Sequence, residues 1–165
     1  MRKRLFLLLL AFISLCQMYA VERTKLNFNG GWLLKVGDFQ GAELANYKDA
    51  GWKQITLPRA FNEKEAFKVS IEHLSDTIMW YRKHFHIQEV GDRKYFIEFE
   101  GVRFGADIWL NGKKVGYTEN GVMASGFDLT PYIIKGENVI AVRVDNSWNY
   151  RERTSGCLLY TSPSP

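Results

Sequence analysis

With 165 residues, 46% apolar and 15% aromatic, the chain is long enough for one domain with a substantial core and too short for two ordinary ones, and its composition excludes a disordered protein. Its 22 basic and 18 acidic residues give +4, but three of the cations fall within the first four residues, so the remainder carries only +1. No basic stripe is left for a nucleic-acid partner, and two cysteines are too few for a disulfide scaffold.

The chain opens on Arg2, Lys3 and Arg4, followed by an apolar run over 5–15 that only Ser14 interrupts, and then by the small residue Ala20. This three-part pattern predicts a secretory signal peptide over residues 1–20. The run is too short for a bilayer-spanning helix, which takes about 20 apolar residues. Export to the periplasm or the extracellular space is expected, with no membrane attachment after cleavage. Lipidation at Cys16 is the competing reading, and Leu15 stands where such signals normally carry a small residue. Cys157 then remains alone, with no His near it in sequence, and reads as incidental rather than nucleophilic.

After the leader, short apolar segments alternate with turn residues. Residues 26–36 read as a strand, a break at Gly30-Gly31 and a second strand. Residues 39–48 admit one helical turn. Residues 52–57 are extended and stopped by Pro58, and 59–75 read as a long loop. Over 78–87, Tyr81, Phe85 and Ile87 fall on one face of a strand and Arg82, His84 and His86 on the other. Tyr95, Ile97 and Phe99 alternate with Phe96, Glu98 and Glu100 in the same way.

Residues 104–117 predict a hairpin. Ala106, Ile108 and Leu110 point one way, Asp107 and Trp109 the other, and Asn111-Gly112 supplies the positive φ angles of a tight turn before Val115 and Tyr117. Asp128, ahead of Leu129-Thr130-Pro131, is placed to accept backbone N–H bonds. Gly136-Glu137-Asn138 reads as another turn, and Ile140, Val142 and Val144 line a last strand. Strands with one buried and one wet face predict an all-β fold, an antiparallel β-sandwich, over residues 21–153. Residues 154–165 show neither period and read as a non-native or unstructured tail at a truncation point, with the natural chain continuing differently past about Ser155.

The series Phe99-Glu100-Gly101-Val102, Ala106-Asp107-Ile108-Trp109-Leu110-Asn111-Gly112-Lys113, Gly126-Phe127-Asp128-Leu129-Thr130 and Gly136-Glu137-Asn138-Val139-Ile140-Ala141-Val142-Arg143-Val144-Asp145-Asn146 resembles the N-terminal sugar-binding domain of glycoside hydrolase family 2. Trp32, Trp52-Lys53, Leu57-Pro58 and Trp80-Tyr81-Arg82-Lys83-His84-Phe85 follow the family's order upstream; Arg59-Ala60-Phe61 departs from its usual triplet after the proline. The resemblance implies a jelly-roll, galactose-binding-domain-like sandwich. It also implies a parent protein with immunoglobulin-like and (β/α)₈ barrel domains downstream, acting as a β-galactosidase, β-glucuronidase or β-mannosidase, with the catalytic carboxylates on the barrel. No cofactor and no catalytic residue is expected in this chain.

Glu98 and Glu100 are about 6.6 Å apart by strand spacing, near the separation a retaining glycosidase needs, but both point from a flat sheet and read as a solvated face. His84 and His86 share a face, yet a closed metal site needs more ligands, so no metal is expected. Gly112-Lys113 lacks the earlier glycine and the following hydroxyl of a phosphate loop. The segment leaving the last strand, Asp145-Asn146-Ser147-Trp148-Asn149-Tyr150-Arg151-Glu152-Arg153, joins aromatic, amide and charged groups that suit carbohydrate, whose C–H faces stack on rings and whose hydroxyls meet planar polar groups. Asp145, Asn146, Trp148 and Asn149 are the candidate sugar contacts; an interdomain linker is the plainer reading of the same residues. A stand-alone carbohydrate-binding module and a structural or protein-interaction sandwich remain the rival functions.

The leader gives the first prediction: N-terminal sequencing of the exported protein starts near Val21, and a soluble cytoplasmic product that retains Met1 overturns it.

Overall fold

The structure is a computed structural model that describes residues 23–60, 77–102, 105–119 and 123–146, and the backbone of 158–160. Residues 1–22, with the expected signal peptide, and residues 61–76, within the expected long loop, lie outside the described residues. Eleven strands follow in order: β1 (Trp32–Val36), β2 (Lys53–Ile55), β3 (Arg59–Ala60), β4 (Ile78–Ile87), β5 (Phe96–Phe99), β6 (Gly101–Val102), β7 (Gly105–Leu110), β8 (Lys113–Thr118), β9 (Ser125–Asp128), β10 (Gly136–Asp145) and β11 (Leu158–Tyr160). One layer is a six-stranded sheet in the order β2-β1-β4-β10-β7-β8, and the β5-β9 and β3-β11-β6 sheets form the rest. All pairings are antiparallel.

The alternation read from the sequence decides which side chains go inward. Trp32 and Leu34 of β1, Met79 and Tyr81 of β4, Ile140, Val142 and Val144 of β10, and Ala106, Ile108 and Leu110 of β7 share the inner face. They pack against Ile97 and Phe99 of β5, Val102 of β6, and Leu129 and Ile133 beyond β9. Full burial of each large side chain contributes about 1.5–3 kcal/mol.

The Asn111-Gly112 turn has the expected positive φ values, 53° and 80°. Its asparagine also has a tertiary role. Asn111 Oδ1 accepts the Val139 N–H at 2.9 Å, while Nδ2 donates to the Tyr132 carbonyl (3.0 Å) and to Asn138 Oδ1 (2.9 Å). Asn138, fully buried, donates in turn to the carbonyls of Ile134 and Gly136 and accepts the Ile134 N–H. Two asparagines therefore tie the hairpin to the start of β10, and the side-chain oxygen and nitrogen of both are hydrogen-bonded inside the protein, as burial requires.

Three sequence expectations are corrected. Residues 26–29 form no strand, because Asn27 Oδ1 accepts the Asn29 N–H at 2.9 Å and turns the backbone away from any ladder. Residues 39–48 contain no helical turn, only successive reverse turns such as Leu44 N–H to the Gly41 carbonyl. Gly136-Glu137-Asn138 does not turn but begins β10, opposite Ile87, His86 and Phe85. Separately, the backbone of Leu158–Tyr160 pairs between β3 and β6; the rest of residues 154–165 lies outside the described residues.

The outer face of the large sheet also differs from the wet face expected. Residues 39–52 lie across it, and Ala42, Trp52, Phe39 and Tyr47 pack with Trp80, Ala141, Leu33 and Trp109 in a second apolar cluster. Trp80 and Trp109 stack with centroids 5.3 Å apart. Arg82, on the face assigned to solvent, is wholly buried beneath this cover. Its Nε donates to Asp49 Oδ2 at 2.9 Å, and Nη1 donates to the carbonyls of Ala42 and Leu44.

Removing the partner of a buried charge costs about 3–5 kcal/mol. Asp49→Ala is therefore expected to destabilise the folded chain by about that amount in a denaturant titration. A loss below about 1 kcal/mol would show that the carbonyl bonds alone satisfy Arg82.

Candidate functional site

Strand ends meet at one edge of the large sheet. β1 leaves there, with the Gly37 N–H on the Ile78 carbonyl at 2.8 Å. β4 and β7 start there and β10 ends there, since Asp145 lies opposite both Ile78 and Gly105. The Asn146 N–H closes the edge on the Thr77 carbonyl at 2.9 Å. Of the four candidate contacts, the structure brings Asp145 and Asn146 together on this edge, Asp145 half-buried and Asn146 buried. Trp148 and Asn149 lie outside the described residues.

Three residues at this edge were not singled out from the sequence. Arg143 sits two residues before Asp145, hence on the same strand face, and its Nη1 donates to Asp145 Oδ2 at 3.3 Å. The other side of its guanidinium forks onto Asp38, Nε to Oδ1 at 3.0 Å and Nη2 to Oδ2 at 2.8 Å. The Trp80 indole N–H reaches the same Asp38 Oδ1 at 3.2 Å. The hydrogen bond from Arg143 holds the Asp38 carboxyl below its usual range, against a smaller opposing effect of burial, and Asp38 likewise raises Arg143. The strand period contained the Arg143–Asp145 neighbourhood, but nothing local signalled Asp38, which is 105 residues away from Arg143. The Asp145 carboxylate, half-buried at the strand end, has the acceptor oxygens to meet a hydroxyl group, while Asn146 beside it is buried. Among the described residues here, no nucleophile and base stand paired.

The other sequence candidates are elsewhere. Glu98 is exposed on β5, and Glu100 is half-buried in the bend after it. The His84 ring is committed on both sides, Nε2 to Asp49 Oδ2 and Nδ1 to Glu137 Oε1, each at 2.8 Å.

Comparison with known proteins fixes the relationship. The profile described as Glycosyl hydrolase 2 galactose-binding domain-like matches residues 53–161. The chain belongs to this family. It is 40% identical over 134 residues to a β-glucuronidase of Formosa agariphila, an alignment that covers 76% of this chain and 14% of that protein. It is 33% identical over 147 residues to the β-galactosidase BoGH2A of Bacteroides ovatus, covering 84% of this chain and 17% of that one. A crystal structure of a glycosyl hydrolase family 2 member from Bacteroides cellulosilyticus superposes with a TM-score of 0.69 at 32% identity, over 81% of this chain and 19% of that one. This glycosyl hydrolase 2 galactose-binding domain-like chain thus spans less than a fifth of the length of these relatives.

His84 sets a pH dependence. Burial pulls its pKa down, but the hydrogen bonds with Asp49 and Glu137 outweigh that and raise it above the ordinary imidazole value, while Arg82 opposes them. Only imidazolium can donate to both carboxylates at once. A raised folded-state pKa stabilises the protein below the unfolded value, about 6.5, and the gain fades as pH rises through the folded value. Because the ring is partly solvated, the effect is discounted to the range of a screened pair, about 0.3–1 kcal/mol. The stability advantage of the wild type over His84→Gln is expected to shrink by that amount between pH 5.5 and 8.5. Equal pH slopes for both proteins would show that the ring is neutral throughout.

Proposed function

We propose that this chain is the N-terminal sugar-binding domain of an exported, retaining glycoside hydrolase that acts on terminal β-linked sugars. The observation that carries the reading is the 40% identity to a β-glucuronidase of which the chain spans only 14%. A protein of that kind has ample length for a separate catalytic domain, and the chain likewise spans only 17% of the β-galactosidase relative. In this reading the immunoglobulin-like and barrel domains follow downstream, and the barrel carries both catalytic carboxylates. The edge formed by Asp145 and Asn146, continued by Trp148 and Asn149, faces the barrel mouth and grips the terminal sugar of the substrate. Its work is orientation, not proton transfer: the sugar is held so that the barrel carboxylates meet the scissile bond in line. The export leader fits an enzyme that meets its glycan outside the cytoplasm.

The test uses two proteins. The 165-residue chain and the product of the complete reading frame are assayed on aryl β-glucuronide, β-galactoside and β-mannoside. The complete product is expected to turn over one of them, and the 165-residue chain none. Turnover by the short chain that vanishes in Glu98→Gln or Glu100→Gln would overturn the reading and restore those carboxylates as catalytic. Inactivity of both proteins, with glycan binding by the short chain, would favour a carbohydrate-binding module instead.

A further inference from the structure

Arg143 joins two parts of the molecule that sequence keeps far apart. On one side stands Asp38, the residue just before the segment 39–52 that crosses the outer face of the sheet. On the other stands Asp145, the last residue of β10. The guanidinium is planar and its five donors have fixed directions, so a group that forks onto one carboxylate is oriented toward a second by geometry. Here Nε and Nη2 are spent on Asp38 at 3.0 and 2.8 Å, and Nη1 is left aimed at Asp145, 3.3 Å away. Asp38 is itself anchored by the indole N–H of Trp80, a residue only 3% exposed. Trp80 and Arg143 are register partners across β4 and β10, so the anchor and the guanidinium rise from adjacent strands at one level of the sheet. The chain of contacts runs from a buried ring to a half-buried carboxylate at the strand end in three hydrogen-bonded steps.

We propose that Arg143 is a positioning residue, locked by Asp38, that holds the Asp145 carboxylate in the orientation in which it accepts a hydrogen bond from a hydroxyl of the bound sugar. This rests on the sugar-gripping role given to the β10 edge above. Arg143 touches no substrate in this scheme; it acts through Asp145. Asp38 is the second member of the device, because without it the guanidinium regains its rotational freedom and the fork no longer sets the direction of Nη1. A lysine at this position keeps the charge but has no planar fork, and it cannot span both carboxylates in fixed directions.

The experiment uses the product of the complete reading frame with the aryl glycoside it turns over best. Arg143→Gln and Asp145→Asn are each expected to raise KM about tenfold with kcat little changed, the size of one lost polar contact. The double variant is expected to be no worse than either single one, because both act through the same carboxylate. Arg143→Lys is expected to recover the melting temperature but not KM, which separates orientation from mere charge. A crystal structure of Arg143→Gln is expected to show the Asp145 carboxylate turned away from its present direction. An unmoved Asp145 carboxylate, or losses that simply add in the double variant, overturns the positioning role alone. A normal KM in Asp145→Asn overturns the sugar-gripping edge, and this proposal with it. Melting temperatures that fall in every variant while KM stays normal show that Arg143 is a structural tie only.

Discussion

The pairing of β4 with β10 is the constraint on which the rest of the structure depends. It runs for ten consecutive residue pairs, from Gly136 opposite Ile87 to Asp145 opposite Ile78. Side chains alternate along both strands, so this one register assigns every neighbour at once. Tyr81 and Val142 meet in the core, while Trp80 meets Arg143 and Arg82 meets Ala141 on the outer face. A slip of one residue would exchange the two sets, burying Arg143 in the core and exposing Val142 and Val144. β1 and β7 then add to the two flanks and inherit the same alternation.

The outer face follows from a single size relation in that register. Ala141 lies between Arg82 and Trp109, and its small side chain leaves room for Trp80, Trp109 and the arginine to lie over it. The segment 39–52 covers this hollow with Phe39, Ala42, Tyr47 and Trp52. Arg82 holds the cover by charge and hydrogen bonds where apolar packing alone would leave the backbone carbonyls of Ala42 and Leu44 without donors. A buried arginine is costly to desolvate, and the fixed geometry of its contacts to Asp49 and two carbonyls is what offsets that cost. Seating the cover in this way also brings Asp38 to the β10 edge, so the packing of the outer face and the geometry of the candidate site are one problem.

Membership of the glycosyl hydrolase 2 galactose-binding domain-like family agrees with this division of labour. The signature residues Asn111 and Asn138 act on the fold: they close the hairpin onto β10 through their side-chain amides. Asp128 caps the turn after β9 by accepting the Thr130 N–H at 2.8 Å. Asp145 and Asn146 instead stand where β10 ends, at the edge to which the proposed sugar contact is assigned.

The sequence by itself determined the all-β class, the inward faces of β4, β7 and β10 and the Asn111-Gly112 turn, because each depends on period-two alternation or on the φ preference of one or two adjacent residues; the family was legible separately, from the order of several motifs along the chain. It also placed Asp145 and Asn146 at the end of the last long strand. It failed for Arg82, which alternation alone assigns to solvent; whether a polar face stays wet depends on what the chain lays over it, and the covering segment 39–52 has no period of its own. It failed for residues 26–29, where one asparagine side chain diverts the backbone, and for Gly136–Asn138, where a glycine with positive φ opens a strand instead of a turn. Asp38 and Asp49 could be recognised only in three dimensions. Their partners, Arg143 and Arg82, are 105 and 33 residues away, and an ion pair of that separation leaves no trace in local composition; it exists because the sheet register and the cover put the charges within 3 Å of each other.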